Sequence, residues 1–192
     1  HERVRAGRAR RIERHQLVVM RAAFWRRRRA RVVFADRRRL AVLAQIDNGT
    51  GNLNGNILVT NGDTINVENG YGIEALQHDS ANTGNLTVNS SGPITAGYDG
   101  IWAQSSGSGT VKVTTTASGT IDAGSWAGGG VGIGAVSDFT GTGAVIVDAR
   151  GNITTEQSNG IFAAIYNSAN GNNVRVTAGN VSSLGSEAIY AI

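Results

Sequence analysis

Short segments in which apolar and polar residues alternate recur along the chain after residue 55. The most regular segment is Ile-x-Ala, preceded by Gly in most copies, and its isoleucines are Ile73, Ile101, Ile133, Ile161 and Ile189. These isoleucines lie 28, 32, 28 and 28 residues apart. A fixed period of this length is typical of a solenoid, in which each unit buries its apolar side against the next.

Two other segments keep the same period. One is an alternating aliphatic pair, at Ile57/Val59, Leu86/Val88, Val111/Val113, Val145/Val147 and Val174/Val176. The other starts with an aliphatic residue shortly after Gly or Asp, at Ile65, Ile94, Ile121, Ile153 and Val181. Three period-2 segments per repeat, separated by Gly, Asn, Ser and Thr, predict three strands and three turns. We therefore expect an all-β fold, a right-handed parallel β-helix with about 28 residues and three strands per coil.

A hairpin fold is the competing interpretation, because Asn69-Gly70, Asp99-Gly100 and Asn159-Gly160 are dipeptides favoured in tight hairpins. They recur next to the same Ile in each unit, which favours the corner of a coil. The four extra residues between Ile101 and Ile133 fall near 125–130. We expect this insertion to project at a turn, because stacked strands cannot accommodate it.

Residues two apart on a strand share a face, so Ile and Ala of the main segment are expected inside and the residue between them outside. This places one column of residues on the outer surface: Glu74, Trp102, Gly134, Phe162 and Tyr190. The column predicted outside for the aliphatic starts is polar: Asn66, Thr95, Asp122, Thr154 and Ser182.

Charge divides the chain in two. Residues 1–45 contain 15 of the 18 basic residues, all arginine, and 3 of the 14 acids, whereas residues 46–192 contain 3 basic and 11 acidic side chains. We therefore predict an Arg-rich segment, 1–45, irregular or helical and outside the fold, and a repeat region, 46–192. The segment is open to three interpretations: non-working upstream or out-of-frame sequence, a degenerate signal region, or a nucleic-acid arm. The repeat region is acidic, so nucleic acid is not an expected partner.

Candidate catalytic groups are few. The acids of the repeat region are scattered singly, and Asp122 and Asp148 fall on different strand types, so paired carboxylates for acid/base catalysis are not expected. His78-Asp79-Ser80 contains the residue types of a hydrolytic triad but places them consecutively, which predicts a polar turn. The chain has no cysteine and one histidine in the repeat region. We predict no catalytic, cofactor-binding or metal-binding residue and no enzymatic activity.

Repeats of Gly-x-Ile-x-Ala, Gly-Ile-x-Ala and Gly-x-Val-x-Val with Asn, Ser and Thr between them resemble passenger domains of bacterial autotransporters and related secreted adhesins. The resemblance covers about residues 55–192. It implies a β-helix at the surface of a Gram-negative cell, together with an outer-membrane barrel domain in the full-length protein. The last residues stop inside a recognisable strand, so we expect an excised piece of a longer chain.

The resemblance leads to a non-catalytic adhesin or stalk whose partner is a host-cell, bacterial-cell or glycan surface. Two alternatives stay open: part of a carbohydrate-active β-helix enzyme, and a purely structural spacer. If a ligand binds, we expect it at the outward aromatics Trp102, Phe162 and Tyr190. The same side chains could instead form an aromatic ladder that only stabilises neighbouring coils.

Overall fold

The alternating segments of the repeat form the strands of a parallel β-solenoid with about five turns and about 29 residues per turn. A computed structural model describes residues 31–33, 40–46, 54–126 and 129–192. In chain order the strands are β1 (Arg31–Val33), β2 (Leu40–Ile46), β3 (Ile57–Asn61), β4 (Ile65–Val67), β5 (Tyr71–Gln77), β6 (Leu86–Ser90), β7 (Ile94–Ala96), β8 (Ile101–Ser105), β9 (Val111–Thr115), β10 (Ile121–Ala123), β11 (Ile133–Ser137), β12 (Val145–Ala149), β13 (Ile153–Thr155), β14 (Ile161–Ile165), β15 (Val174–Ala178), β16 (Val181–Ser183) and β17 (Ile189–Ala191).

Each coil contributes one strand to each of three sheets. Sheet A has the order β1-β2-β5-β8-β11-β14-β17, sheet B has β15-β12-β9-β6-β3, and sheet C has β16-β13-β10-β7-β4. Among the described strands all pairs are parallel except β1 with β2, which is antiparallel. The predicted fold class, with three strands per coil, is confirmed. Its right-handed sense stays a prediction.

The isoleucines of the main repeat form one stacked inward column, as predicted. Ile73, Ile101, Ile133 and Ile161 pair in register and are fully buried, and Ile189 pairs with Ile161 but remains partly exposed. Valines and isoleucines of sheets B and C complete the same core. Burying each of these side chains contributes roughly 1.5–3 kcal/mol. Because all three sheets share this core, the strands of the repeat carry aliphatic residues at alternating, inward positions.

The glycine that precedes four of the five main-repeat isoleucines lies at the corner where sheet C meets sheet A. A Cβ atom on Gly100 would lie 2.4 Å from Cγ2 of Ile121 and 2.7 Å from the carbonyl oxygen of Gly132 in the next coil. The backbone there must pass close to its neighbour, because Gly100 N–H donates to the Val131 carbonyl at 3.0 Å. Glycine recurs at this position because the corner has no room for a side chain.

The boundary drawn from composition at residue 45 is wrong for strand β2. Leu40–Ile46 pairs with β5 in sheet A, and Val42 and Ala44 lie in the core opposite Ile73 and Ala75. Residues 31–33 are also a strand, neither irregular nor helical. Its alternating residues Val42, Ala44 and Ile46 are buried in spite of the arginines that precede the strand. The predictions for residues 1–30 and 34–39 lie outside the described residues.

The insertion lies between β10 and β11, as expected. Gly124 and Gly129 have positive φ angles of 77° and 66°, which glycine adopts without steric cost. Trp126 is 45% exposed in this turn. Nowhere in the described ranges does the chain form a helix that is long and apolar enough to cross a membrane.

Candidate binding face

The outer column of sheet A is formed by the five residues that the repeat predicts. Strand pairing places Glu74 beside Trp102, Trp102 beside Gly134, Gly134 beside Phe162, and Phe162 beside Tyr190. Trp102 and Phe162 are half-buried and Tyr190 is exposed. The three aromatic residues predicted as a possible ligand face therefore share one surface.

The indole of Trp102 lies over Gly134, the one residue of the outward column without a side chain. A Cβ atom on Gly134 would lie 2.1 Å from Cε3 of Trp102, and Gly134 itself is buried. The ring centroids of Trp102 and Phe162 are 6.3 Å apart at an interplanar angle of 13°, although one strand lies between the two residues. Phe162 and Tyr190 are 5.7 Å apart at 10°. The absence of a side chain at Gly134 thus makes the row of rings continuous.

Two further rings extend this row. Tyr166 lies 6.4 Å from Phe162, and Phe139 stacks on Tyr166 at 5.1 Å. Phe139 is 76% exposed. Both residues follow the ends of sheet A strands, outside the Ile-x-Ala segment, so the repeat pattern gave no signal for them. We name this group the outer aromatic ladder: Trp102, Phe139, Phe162, Tyr166 and Tyr190.

The surface below the ladder is apolar. Strand alternation puts Val136 and Ala164 on the outer side of sheet A, since Ala135 and Ala163 point into the core. Val136 is nevertheless only 2% exposed and Ala164 is fully buried. Sheet A therefore carries a second packed layer on its outer side.

Three other aromatic residues meet at the corner before sheet A. Tyr71 stacks on Tyr98 with centroids 5.4 Å apart, and Tyr98 meets Trp126 edge to face at 5.0 Å. We name Tyr71, Tyr98 and Trp126 the corner cluster. Tyr71 lies two residues before Ile73, and Tyr98 lies three residues before Ile101. An alignment of the repeats therefore places the two tyrosines at nearly equivalent positions, and this is the sequence signal that could have predicted their contact. Trp126 reaches them from the insertion, which has no counterpart in other coils.

Two carboxylates, Glu74 and Asp99, lie beside the corner cluster. Burial raises the pKa of Asp99 to about 6. The Val131 N–H, which donates to Asp99 Oδ1 at 2.8 Å, opposes this shift, whereas the charge of Glu74 adds to it. Burial also raises the pKa of Glu74, with His78 opposing. The pKa of Tyr71 is raised by burial and then by the charges of Asp99 and Glu74. The scattered positions of the acids in the sequence therefore gave no sign that these two are partly buried and interact.

The cations of the repeat region, Lys112, Arg150 and Arg175, lie away from this surface. Lys112 and Arg175 belong to the outer column of sheet B, in register with Ile146. Arg150 pairs with Asp148 at 3.2 Å, which is the one ion pair within the described ranges. Arg31 of β1 lies in sheet A itself, in register with Gln45. Strands β5, β8, β11, β14 and β17 contain no Lys or Arg, so this part of sheet A combines aromatic rings with the carboxylates of Glu74 and Asp99.

The remaining candidate groups have local roles. Asp79 forms the predicted polar turn, because its Oδ1 accepts from Ala81 N–H at 3.0 Å and its carbonyl accepts from Asn82 N–H at 3.0 Å. Asp138 repeats the side-chain contact with Thr140 N–H at 3.1 Å. Asp122 and Asp148 lie in different sheets. Across the described residues no three His, Cys, Asp or Glu side chains are grouped to hold a metal ion.

Comparisons with protein-family models, curated proteins and solved structures found no match to this chain. The fold therefore stands on the repeat and on the strand pairing alone.

Proposed function

We propose that this chain is part of a non-enzymatic surface protein, an adhesin or stalk that contacts its partner through the outer face of sheet A. The observation that carries the proposal is the distribution of aromatic residues. All eight aromatic side chains of the described residues belong to the outer aromatic ladder or the corner cluster. Aromatic residues concentrated on one exposed surface are typical of recognition sites.

The stack of coils supports this proposal. Parallel solenoids present extended surfaces on which many weak contacts can add up. Together with the resemblance of the repeats to autotransporter passenger domains, this points to display outside a Gram-negative cell. The partner classes that fit are a host-cell surface, another bacterial cell and a glycan.

A structural spacer is the second candidate, and a specific observation favours it. Trp102, Phe162 and Tyr190 contact one another with interplanar angles of 13° and 10°. Each such pair stabilises adjacent coils by about 0.5–1.5 kcal/mol without any ligand. The two candidate functions predict different results when the rings are removed: an adhesin loses adhesion, whereas a spacer loses only stability.

The test replaces Trp102 and Phe162 with Ser, singly and together, and measures thermal unfolding and adhesion to cells and to a glycan array. Thr95→Ala and Thr154→Ala, on the outer side of sheet C, are the matched controls. The binding role predicts that adhesion falls more than the loss of folded protein explains. Reduced melting temperature with unaltered adhesion of the folded fraction would leave the spacer role alone.

A further inference from the structure

We propose that the part of sheet A around Glu74 and Asp99 binds arginine side chains of a basic peptide segment on a partner protein. This inference rests on the proposed binding function of sheet A and names the chemistry of its partner. It follows from the position of the two carboxylates, from the rings on both sides of them and from the charge of this face.

The two carboxylates lie between the two aromatic groups. Glu74 is in register with Trp102, the first ring of the outer aromatic ladder. Asp99 follows Tyr98 of the corner cluster, and both acids interact electrostatically with Tyr71. A guanidinium group is planar, forms two parallel hydrogen bonds to a carboxylate and stacks on aromatic rings. This surface offers both kinds of contact side by side.

The charges of Glu74 and Asp99 are complementary to a cation. Glu74 and Asp99 are half-buried, and Val131 N–H donates the one hydrogen bond that either carboxylate accepts within the described ranges. Among the described residues, His78 is the group of opposite charge that acts on Glu74. Burial and the charge of Glu74 disfavour the ionisation of Asp99, and an added cation offsets this cost. A neutral glycan stacked on the same rings would leave the repulsion in place.

Arginine fits better than lysine for a geometric reason. The guanidinium plane can lie against a tyrosine or tryptophan ring while its edge faces a carboxylate, whereas the ammonium group of lysine is a compact, strongly hydrated point charge. We therefore expect oligo-arginine to bind more tightly than oligo-lysine of equal length. Binding is expected to weaken as the pH falls below about 6, because Asp99 then takes up a proton.

The experiment titrates the full chain with an oligo-arginine peptide at low and moderate salt. The variant Glu74→Gln/Asp99→Asn removes both charges from the proposed site. The control variant, Asp122→Asn/Glu156→Gln, changes the net charge by the same amount. Its two acids are exposed on the side of sheet C, away from the proposed site. We expect the first variant to lower the affinity by about tenfold or more and the control to change it little. Thermal unfolding of both variants checks that they fold.

Three results would overturn the inference: an equal loss of affinity in both variants, no loss in either, or a preference for oligo-lysine. Binding of a neutral oligosaccharide that Glu74→Gln/Asp99→Asn leaves unchanged, without binding of oligo-arginine, would assign the face to a glycan. The adhesion of the Trp102→Ser and Phe162→Ser variants separates the two proposals. If adhesion depends on the rings but oligo-arginine does not bind, the binding face stands and its arginine specificity fails.

Discussion

The outer faces of sheets A and C differ although the same core supports both. On sheet C the outward side chains are small and polar: Asn66, Thr95, Asp122, Thr154 and Ser182. On sheet A they include the rings of Trp102, Phe162 and Tyr190 as well as buried Val136 and Ala164. Isoleucines of both sheets fill the interior in register. Sheet C shows that this solenoid needs no outer apolar layer, so the layer on sheet A needs a separate explanation, either contact with a partner or local stacking.

The largest expected difference between the outer faces of sheets A and C is in how much their side chains contribute to the free energy of unfolding. Phe162 contacts Trp102, Tyr166 and Tyr190. We expect Phe162→Ala to lower the free energy of unfolding by about 2–3 kcal/mol, because it removes half-buried apolar surface and three ring contacts. Thr154→Ala, on the neighbouring strand of the same coil, is expected to change it by less than about 0.5 kcal/mol. Equal effects in urea unfolding would show that the ladder adds no stability.

A smaller effect is expected from Gly134→Ala. The added methyl carbon would lie 2.1 Å from Cε3 of Trp102, so the indole must swing away from its place near Phe162. We expect a loss of about 1–2 kcal/mol in the free energy of unfolding and a changed near-UV circular dichroism signal.

The control for this substitution is Gly171→Ala, where a Cβ atom meets no neighbour within 4 Å. That change is expected to be neutral or to stabilise by up to about 1 kcal/mol. If Gly134→Ala were equally harmless, the indole would not be resting on Gly134.

The smallest expected effect concerns charge. The pKa of Asp99 in the folded protein, about 6, lies above its ordinary value of 3.8. The folded state therefore binds a proton more tightly than the unfolded chain, and stability should increase as the pH falls from 7 towards 4. Asp99→Asn keeps an oxygen that can accept from Val131 N–H, so it should gain about 1 kcal/mol at pH 7 and flatten this pH dependence. Asp122→Asn is the exposed control. A rise in stability with pH between 4 and 7 that Asp99→Asn abolishes would contradict this assignment.

The repeat predicted the interior well, because stacked coils force equivalent residues into the same column. Strand β2 was missed because the arginines before it dominated the composition, although Val42-Leu43-Ala44 keeps the aliphatic-x-Ala pattern and pairs with Ile73-Glu74-Ala75. A search by pattern alone would have included it.

The candidate site was predicted only in part, for a physical reason. The register of Trp102, Phe162 and Tyr190 follows from the period of the sequence repeat. The position of the Trp102 indole over Gly134 depends instead on side-chain packing between coils, which the repeat does not encode. Asp99 and Glu74 belong to different positions of the repeat and interact electrostatically across adjacent coils, so comparison of equivalent positions could not pair them. Trp126 lies in an insertion and has no equivalent position at all.

The most direct test of the binding face is oxidative footprinting of the full chain, free and bound to a cell surface. Trp126, Phe139 and Tyr166 are exposed and are expected to react in the free chain. We predict that binding protects these three rings and leaves the labelling of Pro93, on the side of sheet C, unchanged. Protection at Pro93 with undiminished oxidation of the three rings would contradict the account and assign contact to sheet C.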